Sequence, residues 1–397
     1  MKAKTTLILC GLVVACSDDG APAADIGGGS TSASTANGSD TTPGTAASGD
    51  RTTGDDDDDS VGPGSTSGIT SATTASASDS DPSESGGDGS STGGLDTPGA
   101  ACPEGPFADA PLTGPSVVAT ALPGTSTAVG AGGLVEGPVW WNGALYLSHF
   151  WFQGQPPPSN LMRYQDGTFE VVLADSGTNG LAIGIDGELL GGDHFGGAIT
   201  AFDPEAGTRT PVVEMFEGQR FNSPNDLTVR SDGTIYFTDP SYQAPQPQPQ
   251  PVTGVYRVDP GGAVERFESE LTQPNGISLS PDETVLYVAH TGGINRYDIN
   301  PDGSVATPGA AFSDVFGGVD GMAVDCAGNL YATLHSEGRI VVRSPAGEDL
   351  GEIQVAPQVT NAAFGGPDQQ TLYITAGNPD AGNAVYSIDL EIPGLPY

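Results

Sequence analysis

Short apolar runs alternate with polar turns six times between residues 101 and 397. Each turn contains Asn, Gly, Asp or Pro, and the run that follows is short and rich in β-forming residues, whereas no segment keeps an apolar period of 3.6 residues. A period of forty to fifty residues built from strands and turns predicts an all-β fold, a six-bladed β-propeller over residues 101–397. The copies are WNGALYLSH, IDGELLGGDH, SDGTIYFTD, PDETVLYVAH, CAGNLYATLH and PDQQTLYITAG, which align Tyr146, Leu190, Tyr236, Tyr287, Tyr331 and Tyr373 at steps of 44, 46, 51, 44 and 42 residues.

Each copy is preceded, 10 to 12 residues earlier, by a strand that opens with an oxygen-bearing side chain. Blades are arranged radially, so equivalent positions on the innermost strands converge at the axis. We therefore expect these side chains to ring one mouth of the channel, although Asn and Asp in ordinary turns before strands would supply the same residue types. These six ring positions are Glu136, Asn179, Asn225, Asn275, Asp320 and Asn361.

The first hundred residues differ in character from the repeats. Residues 1–15 read MKAKTTLILCGLVVA, two lysines before a short apolar run, which is typical of a secretory signal and too short to span a bilayer stably. The run ends in VVAC, which looks like a bacterial lipobox with Cys16 as the lipidated residue, and an ordinary secreted protein with a chance cysteine is the alternative. Residues 16–100 are made mainly of Gly, Ser, Thr, Ala, Asp and Pro and predict a disordered linker. We therefore expect an exported protein, lipid-anchored to a bacterial membrane in the periplasm or at the cell surface.

Charge and cysteine content narrow the function further. The chain has 12 Lys and Arg against 50 Asp and Glu, a formal net charge of −38. This composition excludes an electrostatic nucleic-acid binder, which needs a basic face to neutralise phosphates. Beyond the signal and the lipobox, Cys102 and Cys326 remain, and in an oxidising compartment we expect them to pair, two free thiols being the alternative. We also expect a monomer.

The predicted ring contains hard oxygen ligands and neither cysteine nor histidine. Glu136 and Asp320 would balance a divalent cation, and Asn225 and Asn275 would add neutral carbonyl oxygens. This donor set suits one divalent cation, Ca²⁺ in preference to Mg²⁺, Mn²⁺ or Zn²⁺. Such a cation would polarise a substrate carbonyl or phosphoryl oxygen, or would only staple the blades together.

Several phrases together resemble the gluconolactonase, regucalcin and luciferin-regenerating-enzyme family over about residues 130–390. They include EGPVWW, NSPNDLTVRSDGTIYFTDP, QPNGISLSPDETVLYVAHT and VDGMAVDCAGNLYAT, and the NSPND and TDP phrases point to its bacterial gluconolactonase branch. The resemblance implies a six-bladed propeller with a divalent metal at the channel mouth, held by Glu136, Asn275 and Asp320, and in many members lactone hydrolysis. In related calcium-dependent propeller phosphotriesterases and lactonases, a further asparagine lies at the position of Asn225.

The chain departs from this branch beside the expected pocket. His149 stands where the branch commonly has Asp, and Asp193-His194 is followed by FGGA without the usual arginines. The missing arginine makes the branch's sugar-acid lactone a doubtful substrate.

Together these features predict a divalent-metal-dependent hydrolase that acts on a small lactone or ester. The resemblance implies Asp320 as catalytic base, and hydroxide held by the cation is the competing nucleophile. We predict that Asn179, His194, Arg220 and Asn225 bind substrate, and we interpret His290 and His335 as structural. The alternatives are a non-catalytic, metal-stapled binding propeller at the cell surface and a hydrolase of phosphotriester-type substrates.

Overall fold

A computed structural model describes residues 102–122, 133–151, 159–312, 315, 317–377 and 383–395. The predicted signal peptide, the lipobox Cys16 and the linker of residues 16–100 lie outside the described residues. Twenty-seven strands and one short 3₁₀ helix make up the described part of the chain, which contains no α-helix. Accordingly, none of its helices has the length and apolar character needed to cross a membrane.

Six sheets form six blades, which confirms the predicted all-β propeller. Blade 1 contains β3 (Leu134–Trp141), β4 (Ala144–Phe150), β5 (Ser159–Gln165) and β6 (Thr168–Leu173). Blade 2 contains β7 (Thr178–Ile183), β8 (Leu189–Asp193), β9 (Ala198–Asp203) and β10 (Thr208–Val213). Blade 3 contains β13 (Leu227–Val229), β14 (Ile235–Asp239), β15 (Gly254–Val258) and β16 (Val264–Glu268). Blade 4 contains β17 (Ile277–Leu279), β18 (Val285–His290), β19 (Gly293–Asp298) and β20 (Ala310–Ala311).

The last two blades also recruit strands from the start of the domain. Blade 5 contains β21 (Val319–Val324), β22 (Leu330–Leu334), β23 (Arg339–Arg343) and β24 (Asp349–Gln354), and the helix η1 (His335–Glu337) follows β22. Blade 6 contains β25 (Val359–Gly365), β26 (Thr371–Ala376) and β27 (Ala384–Asp389). The early strands are β1 (Ser116–Val118) and β2 (Thr120–Ala121), and a separate hairpin of β11 (Met215–Phe216) and β12 (Gln219–Arg220) lies between blades 2 and 3.

The N-terminal segment closes the propeller on its outer side. Strand β1 runs parallel to β24 as the fifth strand of blade 5. Strand β2 pairs antiparallel with β27, so that both ends of the domain contribute to blade 6. A disulfide joins Cys102 to Cys326, in the turn between β21 and β22, with Cα atoms 5.5 Å apart. The start of the domain is thus fixed to the two blades that complete the ring.

The first strand of every blade lines the central axis, where these strands contact one another in cyclic order. Each pair of neighbouring blades shares one apolar cluster, so six clusters fill the six junctions of the described residues. A small axial cavity is lined by Gly137, Leu181, Asp226, Ile277, Met322 and Ala362, one from each blade.

Hydrogen bonds cross all six junctions at the ring positions or directly beside them. Because the backbone of each first strand is held by its neighbour, the side chains of the ring positions are placed reproducibly around the axis. The bonds are Ser148 Oγ to Asn179 O (2.6 Å), Gly180 N to Asn225 O (2.7 Å), Thr238 Oγ1 to Asn275 O (2.6 Å), Gly276 N to Asp320 O (2.8 Å), Thr333 Oγ1 to Thr360 O (2.8 Å) and Thr360 Oγ1 to Val135 O (2.6 Å).

Candidate functional site

The ring positions coincide with interruptions of the inner β-ladders. In blades 1, 2, 5 and 6 the pairing of the first and second strands shifts register at or next to the ring position, and in blades 3 and 4 the first strand begins just after it. A bulge turns a side chain out of the regular alternation of a strand. The local sequence therefore directs polar side chains toward the mouth instead of into the apolar junctions.

The residue after the ring position is usually glycine, because the next blade approaches closely. A Cβ on Gly137, whose φ is +55°, would lie 2.2 Å from Asn179 O. A Cβ on Gly276 would lie 2.4 Å from Asp320 O. Blade 3 has Asp226 at this place, and its carboxylate lines the axial cavity.

The arrangement destabilises the ionised forms of two carboxyl groups at the mouth, Glu136 and Asp226. Burial raises the pKa of Glu136 well above its ordinary value, and the negative charges of Asp320 and Asp226 raise it further. Burial likewise raises the pKa of Asp226 to about 7. Asn361 Nδ2 donates to Asp226 Oδ2 at 3.3 Å, and the amide of Gly137 donates to Glu136 Oε2 at 3.0 Å. Three acidic groups therefore repel one another around the axis.

Asp320 is contacted on both of its oxygens. Asn275 Nδ2 donates to Oδ1 at 2.5 Å. His335 Nδ1 lies 3.0 Å from Oδ2, although the N–H bond does not point straight at that oxygen. Burial lowers the pKa of His335, but its interactions with Asp320 raise it more, so the pKa lies above the ordinary value. His335, which we interpreted as structural, thus lies against the predicted base Asp320, and its role stays a prediction.

Tyr242 lies beside the same carboxylates, in the loop after β14. Partial burial raises its pKa to about 12, as do the charges of Asp320 and Glu136, while a hydrogen bond with Asn275 lowers it. Its side chain is nonetheless 46% exposed, so the phenol borders both the site and solvent. The repeat pattern gave no signal for this residue, because the loop between β14 and β15 is longer than the corresponding connection of any other blade.

The predicted substrate-binding residues of blade 2 form a separate, buried group. Asn179 Oδ1 has no hydrogen-bond partner among the described residues. His194 is fully buried, and neither ring nitrogen makes a hydrogen bond of good geometry there, although the side chain of Gln243 interacts with the ring. It packs edge-on against Phe150 at 4.7 Å and beside Phe195 at 4.0 Å. Burial lowers the pKa of His194 to about 3, so the imidazole is neutral.

Arg220 is engaged with backbone. Its guanidinium donates to the carbonyls of Phe195 (2.9 Å), Phe221 (3.0 Å) and Asn222 (3.3 Å). These contacts hold the turn that carries His194, and they do not themselves support the predicted contact of Arg220 with substrate. Asn225 is buried, and its backbone carbonyl is the acceptor from Gly180.

The donor set fits a hard divalent cation. No three His, Cys, Asp or Glu side chains of the described residues converge closely enough to hold an ion by themselves. The predicted set instead combines two carboxylates with two carboxamides, a mixture of oxygen donors that calcium accepts. The mutual repulsion of the carboxyls is a feature that a bound cation would relieve.

Comparison with known proteins identifies relatives of this arrangement. The model of the SMP-30/Gluconolactonase/LRE-like region matches residues 134–378. A gluconolactonase of Zymomonas mobilis is 34% identical over 278 residues, covering 61% of this chain and 76% of the relative. A pentonolactonase of Haloferax volcanii is 26% identical over 287 residues, covering 66% and 93%.

Solved structures show the same architecture. A gluconolactonase of Xanthomonas campestris superimposes with a TM-score of 0.58 at 29% identity, covering 73% of this chain and 99% of that one. A calcium-binding regucalcin of Agrobacterium tumefaciens gives a TM-score of 0.57 at 20% identity, covering 70% and 96%, which is a likeness of fold alone.

Proposed function

The chain belongs to the SMP-30/gluconolactonase/LRE-like family, and on this basis we propose that it is a divalent-metal-dependent hydrolase that opens a lactone ring. Its lactonase relatives support lactone hydrolysis as the reaction. The observation that carries the proposal is the pairing of Asn275 with Asp320 on the axis, close enough to Glu136 for the charge of Asp320 to raise the pKa of that buried carboxyl.

Glu136, Asn225, Asn275 and Asp320 are the residues that would hold the cation. When bound, a divalent cation supplies positive charge that polarises the lactone carbonyl. Calcium is preferred because the donors are carboxylate and amide oxygens on separate blades, and the flexible calcium coordination shell tolerates such a mixture.

Asp320 accepts a proton from the water that attacks the carbonyl carbon. The ring C–O bond then breaks, and the leaving oxygen takes up a proton to give a hydroxy acid. Tyr242 keeps its proton at neutral pH, because its pKa is raised to about 12. It can therefore donate a hydrogen bond toward the substrate at the mouth.

We keep Asn179 and His194 of blade 2 as proposed substrate contacts, although the side chain of His194 is fully buried and Asn179 is only 3% exposed. Neutral His194 and the free carbonyl of Asn179 suit substrate hydroxyl or N–H groups. Asn225 has the same role in this proposal, whereas direct binding by Arg220 stays a prediction, since its described hydrogen bonds go to backbone carbonyls.

A lactone panel tests the proposal. Acid release from sugar, alkyl and aryl lactones is followed with the full chain in Ca²⁺, Mg²⁺, Mn²⁺ or Zn²⁺ and after chelation, with a phosphotriester as a parallel substrate. Turnover that chelation removes and Ca²⁺ restores is the expected result. Tight cation binding without turnover of any substrate would contradict it and favour the metal-stapled binding propeller.

We also propose that Cys16 carries a lipid and that residues 16–100 tether the propeller to a bacterial membrane. The lipobox-like VVAC phrase and the composition of the linker support this. Radiolabelled palmitate should label the full chain expressed in a bacterium, and Cys16→Ser should abolish the label and release the protein to the soluble fraction. An unlabelled wild-type chain would overturn the assignment.

A further inference from the structure

The four histidines of the chain occupy two adjacent places in the repeat, three residues (His149 and His290) or four residues (His194 and His335) after the aligned Tyr or Leu. Each lies where the second strand of a blade ends, next to the start of the first strand and therefore at the mouth. His149 and His290 stand at the ends of β4 and β18, and His194 and His335 directly follow β8 and β22. The repeat thus places every histidine at the same end of its blade as the ring position.

The groups that contact each imidazole differ from blade to blade, as His290 and His335 illustrate. His290 bonds its own turn, since the amide of Gly292 donates to its Nδ1 at 3.1 Å. His335 instead lies 3.0 Å from a carboxylate oxygen of Asp320. Adjacent repeat positions therefore give one histidine a local role and the other a contact with the proposed base.

The backbone fixes His335 beside the strand that carries Asp320. Leu334 pairs with Val319 in the ladder of β21 and β22, and the amide of His335 donates to Gly318 O at 2.9 Å. The imidazole also interacts with the backbone of Val359, in the first strand of blade 6. His335 is thus held between two blades independently of its contact with Asp320.

An aspartate carboxylate needs such support, because its terminal torsion is broad and does not settle in one staggered well. Asn275 holds Oδ1, and the imidazole lies against Oδ2. A hydrogen bond on Oδ1 and the imidazole contact on Oδ2 together restrict the plane of the carboxylate. A base held in one plane presents its lone pair to the attacking water in a constant direction, and small misplacements of such groups are costly to rate.

We propose that His335 is a positioning residue that holds the carboxylate of Asp320 in its catalytic orientation. This inference rests on the proposed lactone-hydrolase function. Nδ1 carries the hydrogen in this contact, because a carboxylate can only accept. Loss of a group that orients a ligand carboxylate typically costs about 10- to 100-fold in activity or metal affinity.

Kinetics of matched variants at saturating Ca²⁺ test the role. We expect His335→Ala to lower kcat about 10- to 100-fold with KM within about twofold. His335→Asn places an amide N–H where Nδ1 stood and should recover kcat to within about threefold of wild type, whereas His335→Gln, whose amide lies one carbon further out, should not. His290→Ala is the control at the adjacent repeat position in blade 4 and should leave both constants unchanged.

A second measurement does not depend on turnover. In long-range ¹H–¹⁵N spectra of the cation-free full chain, we expect His335 Nδ1 to show a protonated-type shift that Asp320→Ala alters and Asp282→Ala does not. An unchanged shift in Asp320→Ala would overturn the contact.

The outcomes separate the two proposals. A wild-type chain that opens no lactone overturns the proposed function and this inference with it. An active wild-type chain overturns this inference alone if His335→Ala keeps full kcat, or if Asn and Gln at position 335 behave alike. If His335→Ala does not fold, the comparison of Asn with Gln decides.

Discussion

Acidic side chains at the mouth of the channel and those in the outer turns of the blades have opposite relations to the fold. Asp282, in the turn between β17 and β18, accepts hydrogen bonds from Ser280 Oγ (2.6 Å) and Thr284 Oγ1 (2.9 Å), which lower its pKa. At the mouth, burial and mutual repulsion raise the pKa values of Glu136 and Asp226. Acidic side chains thus stabilise the fold in the turn at one end of a blade and destabilise it at the mouth, at the other end. A cation held by the mouth carboxylates, as we propose, would offset this repulsion.

The largest expected effect is a loss of activity in a mouth variant that the matched turn variant does not show. Asp320→Ala should lower kcat by about 10²- to 10⁴-fold, the range that a positioned base contributes. Asp282→Ala is the matched control and should keep kcat, because its hydrogen bonds lie within the turn. Steady-state kinetics on the best lactone of the panel checks both variants. Full activity in Asp320→Ala would remove the proposed site.

The next effect concerns stability at the turn end alone. Replacing Cys102 and Cys326 with serine removes a cross-link that spans 224 residues. The loop-closure relation predicts a loss of about 5 kcal/mol in the free energy of unfolding, and removal of native disulfides typically costs 2–5 kcal/mol. Urea denaturation measures the loss. A lower kcat in the folded serine variant would show that the turn and the mouth are coupled. That result would contradict the comparison of the two regions.

The third prediction concerns the pH dependence of stability, which we assign to Asp226 at the mouth. Asp226 has a folded pKa of about 7 against an ordinary 3.8, so its stability penalty is absent below about pH 4 and grows as pH rises to 7. The difference corresponds to at most about 4 kcal/mol. The melting temperature of the cation-free chain should therefore fall between pH 5 and pH 8, and Ca²⁺ should restore it more at pH 8.

Asp226→Asn is the variant that isolates this contribution. It removes the ionisable group, so it should flatten the fall in melting temperature without Ca²⁺. Asp239, also buried with a pKa of about 7, provides the comparison within the same blade, since its carboxylate accepts the amides of Asn222 and Ser223. An unchanged pH profile in Asp226→Asn would assign the instability elsewhere.

The smallest effect lies in the turn again. Asp282→Ala should lower the free energy of unfolding by less than about 1 kcal/mol at neutral pH, because its hydrogen bonds are partly exposed and screened. A lowered pKa stabilises above the ordinary value near 4 and loses that effect as the pH falls below it. Urea midpoints of wild type and variant should therefore converge toward pH 3. If the difference between the two midpoints grew as the pH fell, the contribution of ionised Asp282 to stability would have the opposite sign to the one predicted.

The fold was predictable because its information is local and repeated. Turn residues and short apolar runs recur six times, and aligned aromatic residues such as Tyr236 and Tyr331 are fully buried in the junctions. The ring positions were readable for the same reason, since radial symmetry converts a repeat position into a place at the axis.

The rest of the site was not predictable from the repeat, because it depends on contacts between residues at non-equivalent positions of the blades. Asp226 occupies a place where four blades have glycine, so alignment with the repeat concealed it. Tyr242 comes from the loop between β14 and β15, which is longer than the corresponding connection of any other blade. The placement of the four histidines near the ends of second strands was a signal in the sequence, but it could not tell that His335 meets a carboxylate while His290 meets its own turn.

The two short strands before blade 1 have a consequence for how the protein behaves outside its active site. Strands β1 and β2 cover the outer edges of β24 and β27, each of which would otherwise present a row of unpaired N–H and C=O groups. Exposed edges of this kind pair with other chains and lead to aggregation. A form that began after Ala121 would uncover both edges at once, so solubility as well as ring closure depends on these five residues.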